Sequence, residues 1–482
     1  MVKQYESEFT DWIRKEKLAI ELTKVVGELW LDRSIELIIF RRKIFDNSVS
    51  EILNDHLYAQ RYTDLPLTID VSVSLAKAIA SLEMPPARLD LGRLGAEWVK
   101  EGSQYANEVE FIKAKLTGIV DNTEFSLKPK DVVLYGFGRI GRLAARVLIA
   151  EAGKGEQLRL RAIVTRENSG EDILKRASLL RKDSVHGKMH GTIVDDLENE
   201  SLIINGQVVK MIYSNAPGSV DFTKYGIEDA LLIDNTGVWR DRAGLEKHLL
   251  SPGISQVLLT APGKGDIPNI VYGVNNEKFN PGDDKIYSAA SCTTNAITPV
   301  LKVIEDKLGI IKGHIETVHS YTNDQNLLDN YHKKYRRGKS AAMNMVITET
   351  GAASAIKKVL PNLTQDMTGN AVRVPTPNVS LAILNLQLKS TATKEEVNEI
   401  LRQASMQGEL CEQIDYSISN ELVSTDIIGN PHATVIDAPA TLGSQDGKSV
   451  VLYAWYDNEF GYTRQVIRLA KYLCNVIRLR YY

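Results

Sequence analysis

The stretch that most constrains this chain runs from Asp131 to Ala150. Residues 131–135 form an apolar run that predicts a strand, and Gly136-Phe137-Gly138-Arg139-Ile140-Gly141 follows it without a spacer. Residues 142–150 then place Leu143, Val147 and Ala150 on one side of a predicted helix. A strand that turns through G-x-G-x-x-G into a helix is a dinucleotide-binding turn. Gly136 suits the tight turn, Gly138 close approach of a pyrophosphate, and Gly141 the packing of helix on strand. Buried strands are predicted at 160–164, 230–234 and 256–260, with helical stretches between some of them, so 129–290 reads as a doubly wound Rossmann-type domain. Asn235-Thr236-Gly237 closes one strand at its carboxyl end, where such sheets bind ligands.

A second landmark is Ala289-Ala290-Ser291-Cys292-Thr293-Thr294-Asn295. The run 285–290 predicts a short strand. Residues 296–307 predict a helix, with Val300, Leu301, Ile304 and Leu308 at helical spacing. Cys292 falls at the junction, where the positive end of a helix dipole favours the thiolate. A lone cysteine is ordinarily a small buried hydrophobe. His319, at the end of the apolar segment 314–318, argues otherwise, because a Cys and a His on neighbouring strand ends form an activated thiol.

Ser291-Cys292-Thr293-Thr294-Asn295, followed by Thr317-Val318-His319-Ser320-Tyr321-Thr322-Asn323-Asp324-Gln325, resembles phosphorylating glyceraldehyde-3-phosphate dehydrogenase. The likeness runs from about residue 130 to the C-terminus and leaves the first 125 or so residues outside it. It implies that Cys292 attacks the aldehyde of glyceraldehyde 3-phosphate, that His319 moves the protons, and that a nicotinamide cofactor takes the hydride. Inorganic phosphate then cleaves the thioester. It also implies that Thr322 and Arg373 hold the substrate phosphate, and that Ser291, Thr293, Thr350, Gly351 and Arg337 surround the attacking phosphate. Gly136, Gly138, Arg139, Ile140, Gly141, Thr236 and Gly237 would lie along the cofactor, with Asn458 on the carboxamide and Tyr462 on the ring. His186, in a matching segment, reads as structural. The family is tetrameric, so a homotetramer is expected. Erythrose-4-phosphate dehydrogenase shares the nucleophile, but its members usually depart at the position of Thr322. A non-catalytic scaffold acting through the N-terminal helices would need a lost catalytic residue, and both are present.

The sequence departs from the family at several places. Where its members end the second strand Ile-Asn-Asp, this chain has Ile163-Val164-Thr165, then Arg166. A missing carboxylate removes repulsion against a 2′-phosphate, and Arg166 offers it a partner. Asn330 and Tyr331 stand where NAD-selective members carry Leu-Pro. Both departures lean toward NADP, or use of NAD and NADP alike. Glu349 replaces a usual Ser or Thr beside the attacking-phosphate pocket and is expected to face away from it. Phe460 replaces a Trp, and Ala296 a second Cys.

Residues 1–128 predict an all-α extension. Leu18, Leu22, Val25, Val26 and Leu29 form one stripe, continued by Leu31, Ile35, Ile38 and Ile39. Ser48-Val49-Ser50-Glu51 has capping-box spacing, 71–82 is helical up to Pro85-Pro86, and 104–116 is a further helix. The catalytic domain is expected over 291–455 as α+β with an antiparallel sheet. A C-terminal helix within 456–482, running to about Leu479, is expected to pack back on the dinucleotide domain. Net charge is −3 across 482 residues, which gives no drive toward nucleic acid or anionic membrane. Three cysteines, no apolar leader and no uncharged run of membrane-spanning length point to a cytoplasmic protein. No cluster with metal-ligand spacing was found in the extension, and no metal is expected.

Overall fold

The computed structural model describes residues 2–59, 67–122, 124–166, 172–363 and 367–482. The chain forms two compact units. One comprises Met1–Pro129, Ala152–Gln157 and Val476–Tyr482, the other Lys130–Glu151 and Leu158–Asn475. Among the described residues no helix is long and apolar enough to cross a membrane.

The first unit opens on a 32-residue helix, Val2–Arg33, whose Ala19, Leu22, Val26 and Leu29 are buried at helical spacing. Helices Val49–Ala59 and Ile69–Ala80 pack against it. Ser48 starts the former as predicted: its Oγ accepts from the Glu51 N–H at 3.3 Å while Glu51 Oε2 accepts from the Ser48 N–H at 2.7 Å. The predicted helix 104–116 is shorter, Glu108–Lys115, capped by Asn107.

The extension is helical, but it also holds a four-stranded sheet that the all-α reading missed. Ile35, Ile38 and Ile39 do not continue the helix. Ser34 (φ 55°) ends it, and Glu36–Ile39 is a strand with all four residues buried. A short strand covered on both faces shows no alternation, so its apolar run reads equally well as helix. Phe40 and Arg41, both left-handed (φ 42° and 71°), turn the chain back onto Arg42–Lys43. Ala87–Asp90 pairs in parallel on the other side, and Leu479–Tyr481 pairs in parallel with that strand. The last residues are therefore strand, and the preceding helix ends at Leu473 rather than near Leu479. Glu36 is buried between Arg88 (3.1 Å) and Arg478 (3.2 Å), and Arg478 lies 4.2 Å from the Trp30 ring centroid.

In the second unit, the dinucleotide sheet runs Ile286–Ser288, Ile254–Leu259, Ala230–Asp234, Lys130–Tyr135, Leu158–Thr165, Gln207–Tyr213 in spatial order, all parallel. Ser201–Ile204 and Ile193–Asp196 add an antiparallel edge. The strand order reverses between Lys130–Tyr135 and Ala230–Asp234, which is where a doubly wound sheet opens its ligand crevice. The second sheet runs Val346–Thr348, Met367–Val374, Ile310–Ser320, Ser380–Leu388, Ser449–Tyr456, Thr434–Asp437, Ile414–Ser417. It is mixed rather than purely antiparallel, since Ile310–Ser320 pairs in parallel with Met367–Val374, and Ile414–Ser417 with Thr434–Asp437. Helix Phe460–Leu473 packs on helix Arg139–Ala150, and Arg464 and Lys471 both bind Glu151.

Replacing Glu36 by Ala removes the buried carboxylate that both Arg88 and the buried Arg478 reach. The expected cost is about 3–5 kcal/mol, read as a lower urea midpoint for the N-terminal unit. An unchanged midpoint would contradict the importance given to this cluster.

Candidate active site

Cys292 is the first residue of helix Cys292–Leu308, and the turn that delivers it is held from several sides. Ala290 adopts φ 55°, a left-handed conformation that a non-glycine residue keeps only under constraint. The constraint is visible: Asn295 Nδ2 donates to Ala289 O (2.8 Å) and Ser291 O (2.9 Å), and the Tyr462 hydroxyl donates to Ala290 O (3.0 Å). Ser291 Oγ caps the helix by accepting from the Thr294 N–H at 3.1 Å. Thr293 Oγ1 meets the Tyr456 hydroxyl at 3.0 Å.

His319 ends the strand Ile310–Ser320, and parallel register sets it opposite Arg373. Its Nδ1 lies 2.7 Å from Ser320 O, an acceptor, and within reach of Arg373, a donor; in the tautomer that donates from Nδ1 to Ser320 O, Nε2 presents a lone pair. That Nε2 faces Cys292 Sγ at 3.7 Å. Arg373 Nη1 donates to Ser320 O (2.8 Å) and Thr322 Oγ1 (3.3 Å), and it stands 3.0 Å from His319 Nδ1.

Burial pushes the Cys292 thiol up, against the Arg373 cation and hydrogen bonds from Thr293 that draw it down. Burial, with the Arg373 cation, pushes His319 down to about 3. Burial thus opposes the thiolate that the helix-start position favours, and it holds the neighbouring imidazole neutral.

Ser291, Cys292, Thr293, His319, Arg337, Thr350, Gly351 and Arg373 line one cavity of about 400 Å³. Thr322 joins them through Arg373. Glu349, expected to face away, is instead among the residues that line this cavity, where its exposed carboxylate lies 4.0 Å from Lys334 Nζ. Sequence reasoning missed Arg240, Lys334 and Lys358, which also line the cavity, and gave Asp324 no role. Asp324 accepts from both Thr322 and Arg337, while Arg337 Nε donates to Thr348 Oγ1 at 3.1 Å. Only a fold could bring these groups together. Asp324 was nevertheless readable as an acid between two anion-binding segments.

The dinucleotide turn suits a nicotinamide cofactor. A Cβ at Gly141 would come within 2.3 Å of Gly136 O, so glycine is needed there for packing. A Cβ at Gly138 would meet no protein atom within 4 Å, which leaves room for a pyrophosphate at the start of helix Arg139–Ala150. Thr236 donates through N and Oγ1 to Asp234 Oδ1 (2.7 Å each), shaping the Thr236-Gly237 turn. Thr165 ends its strand with a buried hydroxyl that has no partner among the described residues, and Arg166 beside it is exposed. The Asn458 oxygen is taken by the hydroxyls of Ser320 (2.9 Å) and Ser380 (3.0 Å), so its NH₂ is what it offers a ligand. Arg139 is less free than expected. Its guanidinium is spent on Asp183 (3.2 Å) and Glu459, so only its backbone N–H remains for a phosphate; Ile140 sits half-buried beside it. His186 Nε2 meets Glu459 at 3.0 Å, within the same cluster.

A doubly wound dinucleotide sheet joined to a second sheet that faces a helix-borne thiol defines a nicotinamide-dependent dehydrogenase. Comparison with known proteins narrows the class. Residues 130–242 match the description "Glyceraldehyde 3-phosphate dehydrogenase, NAD binding domain", and residues 291–458 match the C-terminal domain of the same family. A "Glyceraldehyde-3-phosphate dehydrogenase-like protein" of Pseudomonas aeruginosa is 52% identical over 455 residues, 94% of this chain and 98% of that one, so the likeness reaches well into the N-terminal extension. The glyceraldehyde-3-phosphate dehydrogenase of Priestia megaterium is 41% identical over 338 residues, 70% of this chain and 96% of its own. The chloroplastic glyceraldehyde-3-phosphate dehydrogenase A of Zea mays is 41% identical over 358 residues, 73% of this chain and 84% of its own. This chain belongs to the glyceraldehyde-3-phosphate dehydrogenase family.

Asp183 gives the site a pH signature. Against the burial that raises it, the N–H groups of His186 and Val185 and the Arg139 guanidinium hold its carboxyl well below the usual range. A depressed carboxylate stabilises the fold above its unfolded pKa, and that stability is lost as pH falls through the folded value. Asp183→Asn is expected to lower stability at neutral pH and to flatten its decline from about pH 5 to about pH 2. Urea midpoints across that window provide the check, and parallel curves for the two proteins would refute it.

Proposed function

We propose that this chain catalyses the reversible phosphorylating oxidation of D-glyceraldehyde 3-phosphate to 1,3-bisphosphoglycerate, using NADP as well as NAD. The observation that carries the reading is Cys292 Sγ at 3.7 Å from the Nε2 of His319, in a cavity also lined by Arg337 and Arg373. Arg373 and Thr322 take the substrate phosphate, which sets the aldehyde carbon over the sulfur. Cys292 adds to that carbon as His319 Nε2 takes the thiol proton and returns it to the oxygen, giving a thiohemiacetal. The Cys292 backbone N–H at the helix start stabilises the oxyanion. His319 then removes the hydroxyl proton as the C–H hydride departs, leaving a thioester on Cys292. When bound, the nicotinamide ring supplies the acceptor for that hydride. Ser291, Thr293, Thr350, Gly351 and Arg337 hold inorganic phosphate, whose oxygen attacks the thioester. The C–S bond breaks, and sulfur recovers its proton from His319.

Thr165 and Arg166 stand where an acidic residue would otherwise repel a 2′-phosphate, and this supports use of NADP. The same reading takes the protein to be a cytoplasmic homotetramer.

Cys292→Ser is expected to abolish the burst of reduced cofactor, and His319→Asn to slow it about 10²–10⁴-fold with little change in KM for the aldehyde. A parent-rate burst in either variant would remove the reading. In a phosphate-dependent assay glyceraldehyde 3-phosphate should outrun erythrose 4-phosphate. Arg166→Ala should cut kcat/KM with NADP about tenfold while NAD stays within about twofold. A strong NAD preference in the parent protein would end the NADP part alone.

A further inference from the structure

A buried acid–imidazole pair lies behind the Thr236-Gly237 turn and takes no part in the chemistry at Cys292. Asp234 closes the strand Ala230–Asp234 and is 0% exposed, and His248, on the helix Arg242–Leu249, is 1% exposed. His248 Nε2 lies 3.1 Å from Asp234 Oδ2. The other carboxylate oxygen, Oδ1, accepts from both the N–H and the hydroxyl of Thr236 at 2.7 Å. Two aromatic rings stand against the imidazole, Tyr135 with its centroid at 4.6 Å and Trp239 at 5.6 Å. Burying a carboxylate and an imidazole is costly unless each is partnered. What the partnership fixes here is the direction of Thr236.

That direction matters because of where the turn sits. Strands Ala230–Asp234 and Lys130–Tyr135 are the neighbours at which the sheet order reverses, so Thr236 and Gly136 both lie at the mouth of the crevice. They are close: a Cβ at Gly136 would come within 3.0 Å of Thr236 Cγ2. Thr236 itself is exposed, and Gly237 after it is left-handed, with φ 61°. A rotation of Thr236 therefore changes the space over the first glycine of the dinucleotide turn. The Asp234 backbone is anchored without His248, since its carbonyl accepts from the N–H and hydroxyl of Thr260 at 3.0 Å. The carboxylate is a separate matter. Two points define its plane, Thr236 at Oδ1 and His248 at Oδ2, and removing the second lets it turn about its own Cβ–Cγ bond.

We propose that His248 is a positioning residue for the nicotinamide cofactor: through Asp234 it holds Thr236 in the orientation the cofactor meets, and so sets cofactor affinity. This role rests on the reading that the Thr236-Gly237 turn lies along the cofactor, and it is independent of the aldehyde chemistry. Calorimetric titration of the full-length chain with NAD and with NADP, without aldehyde, reads it. His248→Leu should raise the dissociation constant about tenfold, while His248→Gln, whose amide N–H stands in for Nε2, should stay within about threefold of the parent. In the cofactor-free chain, hydrogen exchange at the Thr236 N–H should quicken about tenfold in His248→Leu, with residues 231–233 exchanging at the parent rate. Should His248→Leu not fold, His248→Asn carries the same expectations, because its amide is one methylene too short to reach Asp234. A dissociation constant within about twofold of the parent in the Leu or Asn variant would overturn the proposal. So would His248→Gln binding as weakly as His248→Leu, which is the pattern of lost packing alone. Thr236→Val tells this failure from that of the underlying reading: an unchanged dissociation constant there removes the turn from the cofactor site, and the role of His248 with it.

Discussion

The parallel pairing of strands Ile310–Ser320 and Met367–Val374 is the constraint on which the rest of the site depends. It sets His319 beside Arg373, and so places a permanent cation 3.0 Å from the ring nitrogen that faces Ser320 O. The imidazole is held neutral, and its Nε2 is aimed at Cys292. This parallel pair, one of two among the described strands of a mixed sheet, brings a base and an anion-binding group to one strand end.

The same cation acts in two directions. Arg373 draws the Cys292 thiol down and pushes the His319 imidazole down with it, so it favours the thiolate while disfavouring the proton's destination. Burial is the larger influence on both groups and favours their neutral forms. An anion seated on Arg373 would offset its charge and make the imidazole a better base just when substrate is present.

How much of this was legible followed the range of the interactions. The glycine roles in the dinucleotide turn depend on contacts a few residues apart, and the 2.3 Å approach that a Gly141 Cβ would make to Gly136 O is what the motif requires. The capping box at Ser48 is local and was also readable. The strand Glu36–Ile39 was not, because its sheet is completed by Ala87–Asp90 and Leu479–Tyr481, far away in sequence, and its apolar run suits helix equally. Resemblance brought Cys292, His319 and Arg373 together as a list. The register that makes Arg373 a neighbour of the imidazole, and the burial that raises the thiol, belong to tertiary structure alone.

Arg139 shows why the dinucleotide turn and the nicotinamide end of the site behave as one device. It sits at the first position of the helix that receives the pyrophosphate, yet its side chain turns away to Asp183 and Glu459. Glu459 follows Asn458, whose oxygen is fixed by Ser320 and Ser380, and Ser320 follows His319. A continuous chain of hydrogen bonds and peptide links therefore joins the phosphate-binding turn to the catalytic imidazole. Asp183 anchors the chain, reached from one side by Arg139 and from the other by the N–H groups of Val185 and His186. Such a network is satisfied only when every member is in place, so a shift of the dinucleotide turn would be felt at the carboxamide-binding Asn458 before it was felt in the sheet.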